Sequence, residues 1–253
     1  MDVTEAAHRI RPVLERAAMV DVAPGEEISL LYSGGLDSSL LAWLLLPRAS
    51  IELVTVGSPG SDDIDAARSG AALLGLPWRE VTIGSKDVER VIRAHSAAMR
   101  GVKEPQLSVA VSLALALGAT RRPKVLCGQG ADELFLGYAH FEGLSAAEAV
   151  ERRRSDLDLL NRTEWPRAQH IAAECERELF APYLDTLLVA AVDGTPVEPH
   201  LPTSERKPVL REIARDAGLP AELADRPKKA MQYGSGVNRL VRARSAPRKP
   251  RAA

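Results

Sequence analysis

The sequence predicts an α/β fold: an open parallel sheet with helices on both faces, followed by an all-helical C-terminal extension. Three observations carry this expectation. Short apolar runs alternate with helical stretches through the first half of the chain, two of those runs end in glycine-rich loops, and the strand signal stops after about residue 143.

The elements follow in order. Residues 3–18 place Val3, Ala6, Ile10, Val13, Leu14 and Ala17 at helical spacing. After the turn at Pro24-Gly25, the apolar run 28–31 leads into Ser33-Gly34-Gly35, as a buried parallel strand enters a loop. A helix over 36–46 is stopped by Pro47. Residues 51–56 read as a strand, 63–74 as a helix closed by Gly75, and 78–83 as a third strand. Helices over 86–100 and 106–117 precede a fourth strand at 124–127, which runs into Gly128-Gln129-Gly130. Ligands of open parallel sheets bind beyond the carboxyl ends of the strands, where both glycine loops fall. Residues 146–160, 164–179, 184–192, 207–217 and 221–225 read as helical. One domain therefore spans 1–240, with an α/β part over 1–143 and a helical part over 144–240. Arg242, Arg244, Arg248, Lys249 and Arg251 mark 241–253 as a basic, disordered tail.

Composition narrows the function classes. Of 253 residues, 45% are hydrophobic and only 4% aromatic, so Ala, Leu and Val must build the core. A formal charge of −1 gives no overall pull towards nucleic acid or a membrane surface. Two cysteines, Cys127 and Cys175, can form neither a disulfide framework nor a four-cysteine zinc site. His95, His140, His170 and His200 lack metal-ligand spacing. No secretory signal is visible, and the apolar run 40–46 is too short for a bilayer. A cytoplasmic protein is expected.

The chemistry concentrates in Ser33-Gly34-Gly35-Leu36-Asp37-Ser38-Ser39. Two glycines after a strand allow a tight turn that brings backbone N–H groups close to an anion. The next helix aims its N-terminus at the same place. Ser33, Ser38 and Ser39 add hydroxyl donors. Asp37 would repel phosphate unless it holds a cation such as Mg²⁺. The plainer reading is a helix cap on a glycine turn. The stretch lacks the Gly-Lys-Ser/Thr ending of the Walker motif.

These residues resemble the pyrophosphate loop of the N-type ATP pyrophosphatases, specifically the synthetase domain of the asparagine synthetases. Four further stretches share the resemblance. Gly57-Ser58-Pro59-Gly60-Ser61-Asp62-Asp63 is similar to the segment whose backbone holds adenine. Cys127-Gly128-Gln129-Gly130-Ala131-Asp132-Glu133-Leu134-Phe135-Leu136-Gly137-Tyr138 resembles the family's second signature. Ala181-Pro182-Tyr183-Leu184-Asp185 and Lys207-Pro208-Val209-Leu210-Arg211-Glu212 resemble two later ones. The resemblance covers about 26–240 and implies an adenine nucleotide alpha-hydrolase-like fold with ATP and Mg²⁺ as cofactors. It implies that Leu31, Ser33, Gly34, Gly35, Asp37, Ser38, Val56, Gly128 and Lys207 contact nucleotide. Asp37 and Asp132 would be metal ligands, and Lys207 would stabilise charge in the transition state. Read alone, Asp132 could cap a helix, and Lys207 could be a solvated charge.

The sequence also departs from asparagine synthetases. About 25 residues precede the first strand, so no glutaminase domain is expected. Ammonia, a separate glutaminase or an amine on the substrate is then the expected nitrogen source. Gln129 stands where those enzymes carry a glutamate base, and an amide cannot serve as a base at pH 7. Glu104 is the candidate substitute. Lys103-Glu104-Pro105-Gln106-Leu107 replaces the segment expected to read aspartate, so the carboxylate substrate stays open. Residues 226–236 look more like the asparagine synthetase domain-containing proteins, and Lys228, Lys229 and Gln232 could either close over nucleotide or substrate or form a surface helix end. The expected activity is an AMP- and pyrophosphate-forming ligase joining a small-molecule carboxylate to ammonia or an amine. The alternatives are a tRNA-modifying ATP pyrophosphatase and an inactive ATP-binding regulatory protein.

Overall fold

The apolar runs of the first half become the middle of a five-stranded sheet in order β3-β2-β1-β4-β5, with every pairing parallel. The computed structural model describes residues 1–203, 205–226 and 234–245. In chain order the strands are β1 (Glu26–Leu31), β2 (Ala49–Gly57), β3 (Trp78–Thr82), β4 (Lys124–Leu126) and β5 (Glu178–Phe180). The helices of the first half are α1 (Val3–Met19), α2 (Leu36–Leu45), α3 (Asp62–Leu74), α4 (Ser85–Ala94), α5 (Ser96–Met99), α6 (Gln106–Ala119) and α7 (Ala131–Leu134). Those of the second half are α8 (Ala146–Leu159), α9 (Trp165–Glu174), α10 (Thr186–Asp193), α11 (Pro208–Asp216), α12 (Ala221–Ala224) and α13 (Val237–Ser245).

Strand alternation divides the core in two. Ile28 and Leu30 of β1 and Ile51 and Leu53 of β2 face one layer, where α1, α2, α10, α11 and α12 bury Ile10, Leu14, Leu40, Leu41, Val192, Leu210 and Ile213. On the other face Val56, Val125 and Leu179 meet Val88 of α4, Val111 and Leu117 of α6 and Ile171 of α9. A third, smaller cluster joins Leu136, Phe141, Ala149 and Val197.

Three elements differ from the sequence expectation. The segment expected to be entirely helical carries β5, which pairs with β4 from Lys124↔Glu178 to Leu126↔Phe180. A three-residue strand is too short to leave a period in the sequence, and only its neighbour defines it. The helix expected over 164–179 is instead α9, entered through a π-helical turn at Leu160–Glu164 and ended at Cys175. The expected tail is helical up to Ser245, because α13 buries Val237 and Val241 against α4 and α6. Residues 246–253, like Lys228, Lys229 and Gln232, lie outside the described residues.

The strand order sets the location of the site. From β1 the chain moves outward to β2 and β3, then returns to the other side of β1 with β4. The crossovers diverge at β1 and β4, which opens a crevice beyond their carboxyl ends. The two glycine loops flank that crevice.

Candidate functional site

The first wall is the turn from β1 into α2. Gly34 takes φ +70°, and a Cβ there would lie 2.6 Å from the Ala66 carbonyl carbon, so α3 presses directly on the loop. Only glycine fits that approach in that conformation. Gly35 is the extended N-cap of α2, with no side-chain cap. The Gly35 N–H donates to Ser33 Oγ (3.3 Å), and Ser38 Oγ donates to the Gly35 carbonyl (3.3 Å). Tyr32 and Ser39 share a buried hydroxyl–hydroxyl bond of 3.0 Å behind the loop. The first N–H groups of α2 keep no helical partner and face the crevice.

The second wall is the loop after β4. Gly128 lies against Asp37 and the Ser38 N–H. Gly130 is the N-cap of α7, and Asp132 sits in its first turn. Gly137 folds back so that its N–H donates to the Asp132 carbonyl at 2.8 Å. A Cβ at Gly137 would stand 2.1 Å from Asp132 Oδ1 and 2.2 Å from Lys207 Cε. That cradle admits nothing larger than glycine.

Lys207 joins the two walls. Its Nζ lies 2.6 Å from Asp37 Oδ1 and 2.6 Å from Asp132 Oδ1, while its side chain is 3% exposed. It is therefore not a solvated charge. Burial works to lower the Lys207 pKa, and the charges and hydrogen bonds of Asp132 and Asp37 outweigh it, holding the ammonium above its ordinary value. Lys207 adopts the left-handed conformation, φ +58° and ψ 48°, at the N-cap of α11, with Pro208 in the first turn. Such a backbone is unfavourable for a long side chain and persists only where its surroundings hold it. Arg211 does so here. It donates to the Arg206 carbonyl (2.9 Å), the Ala224 carbonyl (2.5 Å) and the Arg226 carbonyl (2.9 Å). Arg226 in turn donates to the Gly34 carbonyl at 3.2 Å.

Two further anchors were not evident from residue types. Tyr183, fully buried, donates its hydroxyl to the Asp37 carbonyl at 3.0 Å and meets Phe135 edge-on. Asp185 beside it caps α10 through the Leu187 and Leu188 N–H groups. Glu133 accepts from the Tyr138 hydroxyl at 2.6 Å. Burial and the neighbouring Asp132 charge push the Glu133 pKa up to about 7. The recurring motif signature at these positions is the signal that could have pointed to them.

Leu31 and Val56 end β1 and lie late in β2, Val56 being buried. In the stretch after β2, the Ser58 N–H donates to the Ser235 carbonyl at 2.8 Å, so one backbone donor there is already engaged. Cys127 opens the second loop as a small buried residue, its thiol pushed up to about 11 by burial. Gln129 lines a separate cleft with Gln106, Glu164 and Arg167. Glu104 is not among the lining residues. It is exposed at the entry to α6 and accepts from Ser108 Oγ at 2.8 Å.

Two carboxylates converging on one point, backed by unpaired helix N–H groups, can share a hard divalent cation with phosphate oxygens. Among the described residues, no group of three or more His, Cys, Asp or Glu is arranged to hold a metal without such help. Nor is any described helix long and apolar enough to cross a membrane.

The sequence matches the family described as Asparagine synthase over residues 9–177 and 154–246. The chain belongs to that family. A provisionally named asparagine synthetase (glutamine-hydrolyzing) of Methanocaldococcus jannaschii is 28% identical over 276 residues, covering 94% of this chain and 51% of that protein. The asparagine synthetase (glutamine-hydrolyzing) of Gallus gallus is 28% identical over 247 residues, covering 92% of this chain and 44% of its own length. This asparagine synthase family member thus spans about half the length of the curated relatives it matches. Among solved structures, an NMN synthetase from Francisella tularensis matches 92% of this chain and 78% of that one, at 15% identity and a TM-score of 0.42.

Proposed function

We propose that the chain is an ATP-dependent ligase that releases AMP and pyrophosphate, activating a carboxylate as an acyl-adenylate that an amine converts to an amide. The observation that carries this reading is the buried Lys207 ammonium held 2.6 Å from both Asp37 and Asp132 at the switch point of a parallel sheet. The asparagine synthetase names of its relatives support the same reaction class.

The residues fit the task. A carboxylate oxygen attacks the α-phosphorus of ATP, and the bond to pyrophosphate breaks with its electron pair on the leaving group. The N–H groups opening α2, with Ser33 and Ser38, hold the leaving phosphates. Lys207, kept charged by its two partners, stabilises them as a fixed point charge and not as a base. Asp37 and Asp132 would hold Mg²⁺, which supplies further neutralisation of the pyrophosphate oxygens. Gly34, Gly128 and Gly137 keep the walls close enough for these contacts. The amine nitrogen then bonds to the acyl carbon and AMP departs.

The test is pyrophosphate release from ATP with Mg²⁺, ammonia and pooled amino acids. Release that requires a carboxylate and is lost in Asp37→Ala is the expected result. Folded protein that binds ATP yet releases no pyrophosphate with any pool would overturn the reading.

A further inference from the structure

Charge is spread unevenly over the fold. The helices α4 and α13 pack against each other, and both turn their apolar sides into one cluster, where Val88, Val91, Val237 and Val241 join Val111 of α6. Their outer sides therefore form one continuous surface. It presents Lys86, Arg90, Arg93, Arg239, Arg242 and Arg244, all exposed. The acids of the two helices are Asp87 and Glu89, so they carry a net +4 in a chain whose total is −1. The residues beyond Ser245 add Arg248, Lys249 and Arg251 and no acid.

The fold itself makes little use of these cations. Asp87 pairs with Arg90 at 2.7 Å, but none of Lys86, Arg93, Arg239, Arg242 and Arg244 forms an ion pair among the described residues. In the other layer Arg11, Arg206 and Arg215 each reach an acid. Glu104, linked to α13 through Ser108 and Asn238, is already engaged by the Ser108 hydroxyl. Helix dipoles account for Arg93, Arg242 and Arg244, which sit in last turns. They do not account for Lys86 and Arg239, which sit in first turns, at the positive end of the dipole. Arg239 and Arg242, three residues apart on one helix, also repel each other. Charges held at a local cost, with no partner inside the fold, suit a partner outside it.

The surface limits what that partner is. Neither helix carries an exposed large hydrophobic side chain, so the apolar centre of a protein interface is missing. The apolar side of α13 is buried against α6 and is not free to lie in a membrane surface. What remains is binding by charge alone, which is how a phosphate backbone is held. Neither helix contains an aromatic residue, so unpaired bases find no stacking platform. Both helices are half sunk in the protein and cannot enter the major groove of B-form DNA. Duplex RNA, by contrast, is recognised through its shape and its phosphates. Both first turns lie at the crevice edge of the sheet. The helix α4 starts three residues after β3 ends, and the Ser235 carbonyl, just before α13, accepts from the Ser58 N–H beyond β2.

We infer that the α4–α13 face binds the phosphate backbone of double-helical RNA without reading its sequence, and that a duplex lying along it brings one end to the crevice. The experiment is fluorescence anisotropy of a labelled RNA duplex of about 16 base pairs with the full chain. Affinity is expected to fall about a hundredfold between about 50 and about 200 mM salt, as for about four neutralised phosphates. The triple variant Arg93→Gln, Arg239→Gln and Arg242→Gln should bind at least about tenfold more weakly at low salt and show a flatter salt dependence. Removing the same charge elsewhere, with Arg9→Gln, Arg16→Gln and Arg154→Gln on α1 and α8, should leave affinity unchanged. Thermal melts of both variants check that each remains folded. No RNA binding by wild type at low salt, or an equal loss in the two triple variants, overturns the inference. Equal affinity for a DNA duplex of the same length overturns the assignment to RNA. So does tighter binding to poly-glutamate or to phosphatidylglycerol vesicles, which would mark the face as one for an acidic protein or a membrane.

Discussion

The two sides of the crevice solve opposite problems. On the side of the two glycine loops the charged side chains are engaged. Lys207 holds Asp37 and Asp132, Tyr183 holds the Asp37 backbone, and Arg211 and Arg226 lock the approach to Lys207 onto the Gly34 loop. Across Gln129, a shallow cleft is lined by the half-buried Glu164 and Arg167, and burial raises the Glu164 pKa. The locked side suits a ligand that never changes, since preorganised charge avoids reorganisation at the moment of reaction. The open side, lined by Gln106, Gln129, Glu164 and Arg167, carries no comparable cluster of paired charges among the described residues.

The largest effect should follow from breaking the lock at its centre. Lys207→Met is expected to lower pyrophosphate release by about a thousandfold, because it deletes a buried cation facing the leaving group. A rate near that of wild type in a pyrophosphate-coupled assay would dissolve the distinction between the two sides. Gly137→Ala should cost about a hundredfold, since its Cβ must displace both Asp132 and Lys207 by an ångström or more. Its melting temperature should fall little, so an activity loss that merely tracks unfolding would refute the steric account.

At the boundary between the sides, Gln129→Glu sharpens the contrast. An ionised carboxylate offers acceptors only, and a partner left unsatisfied would slow the native reaction about five- to a hundredfold. Ammonia-dependent amide formation should rise in the same variant, because a carboxylate can take the proton. A variant that makes both amides faster would show that Gln129 contacts no acceptor.

The smallest effect is on stability. Glu133 in the locked wall has its pKa raised from 4.5 to about 7 by burial and Asp132, so its contribution is complete below 4.5 and is lost as pH rises through about 7. His200, fully buried and bonded to Thr195, is depressed from 6.5 to about 3 by burial and by Arg153. Its contribution is complete above 6.5 and is lost as pH falls towards 3. Between 4.5 and 6.5 the two slopes oppose each other. Urea titrations should therefore give a nearly flat profile for these two groups in wild type. Glu133→Gln should expose a rise of about 1.4 kcal/mol per pH unit across that window, and His200→Phe a fall of similar size. Parallel profiles for both variants would show that neither group is perturbed as described.

The locked side was legible because its residues lie in contiguous stretches whose chemistry explains their spacing. Asp37 follows two glycines after a strand, and Lys207 opens Lys-Pro-Val-Leu-Arg-Glu. The sequence did not reveal why Arg211 accompanies Lys207, since its three carbonyl partners are spread from Arg206 to Arg226. The open side was barely legible. Glu164 and Arg167 sit at a π-helical turn inside a segment that reads as plain helix, and they meet Gln129 only through tertiary packing. Glu104 drew attention by its nearness to Gln106 along the chain, yet Ser108, one turn later, captures its carboxylate. The strand β5 was missed for a related reason: three residues carry no period, and their pairing partner lies more than fifty positions earlier.

The separation of 170 residues between Asp37 and Lys207 bears on how the protein is born. Ribosomes deliver the chain from its N-terminus, so both carboxylates emerge and take their places on the growing sheet long before their cation exists. Until α11 clears the exit tunnel, the two acids lack the ammonium that joins them in the finished fold. The three-charge cluster is therefore absent from every nascent or prematurely terminated chain that lacks α11, an element that begins in the last fifth of the polypeptide.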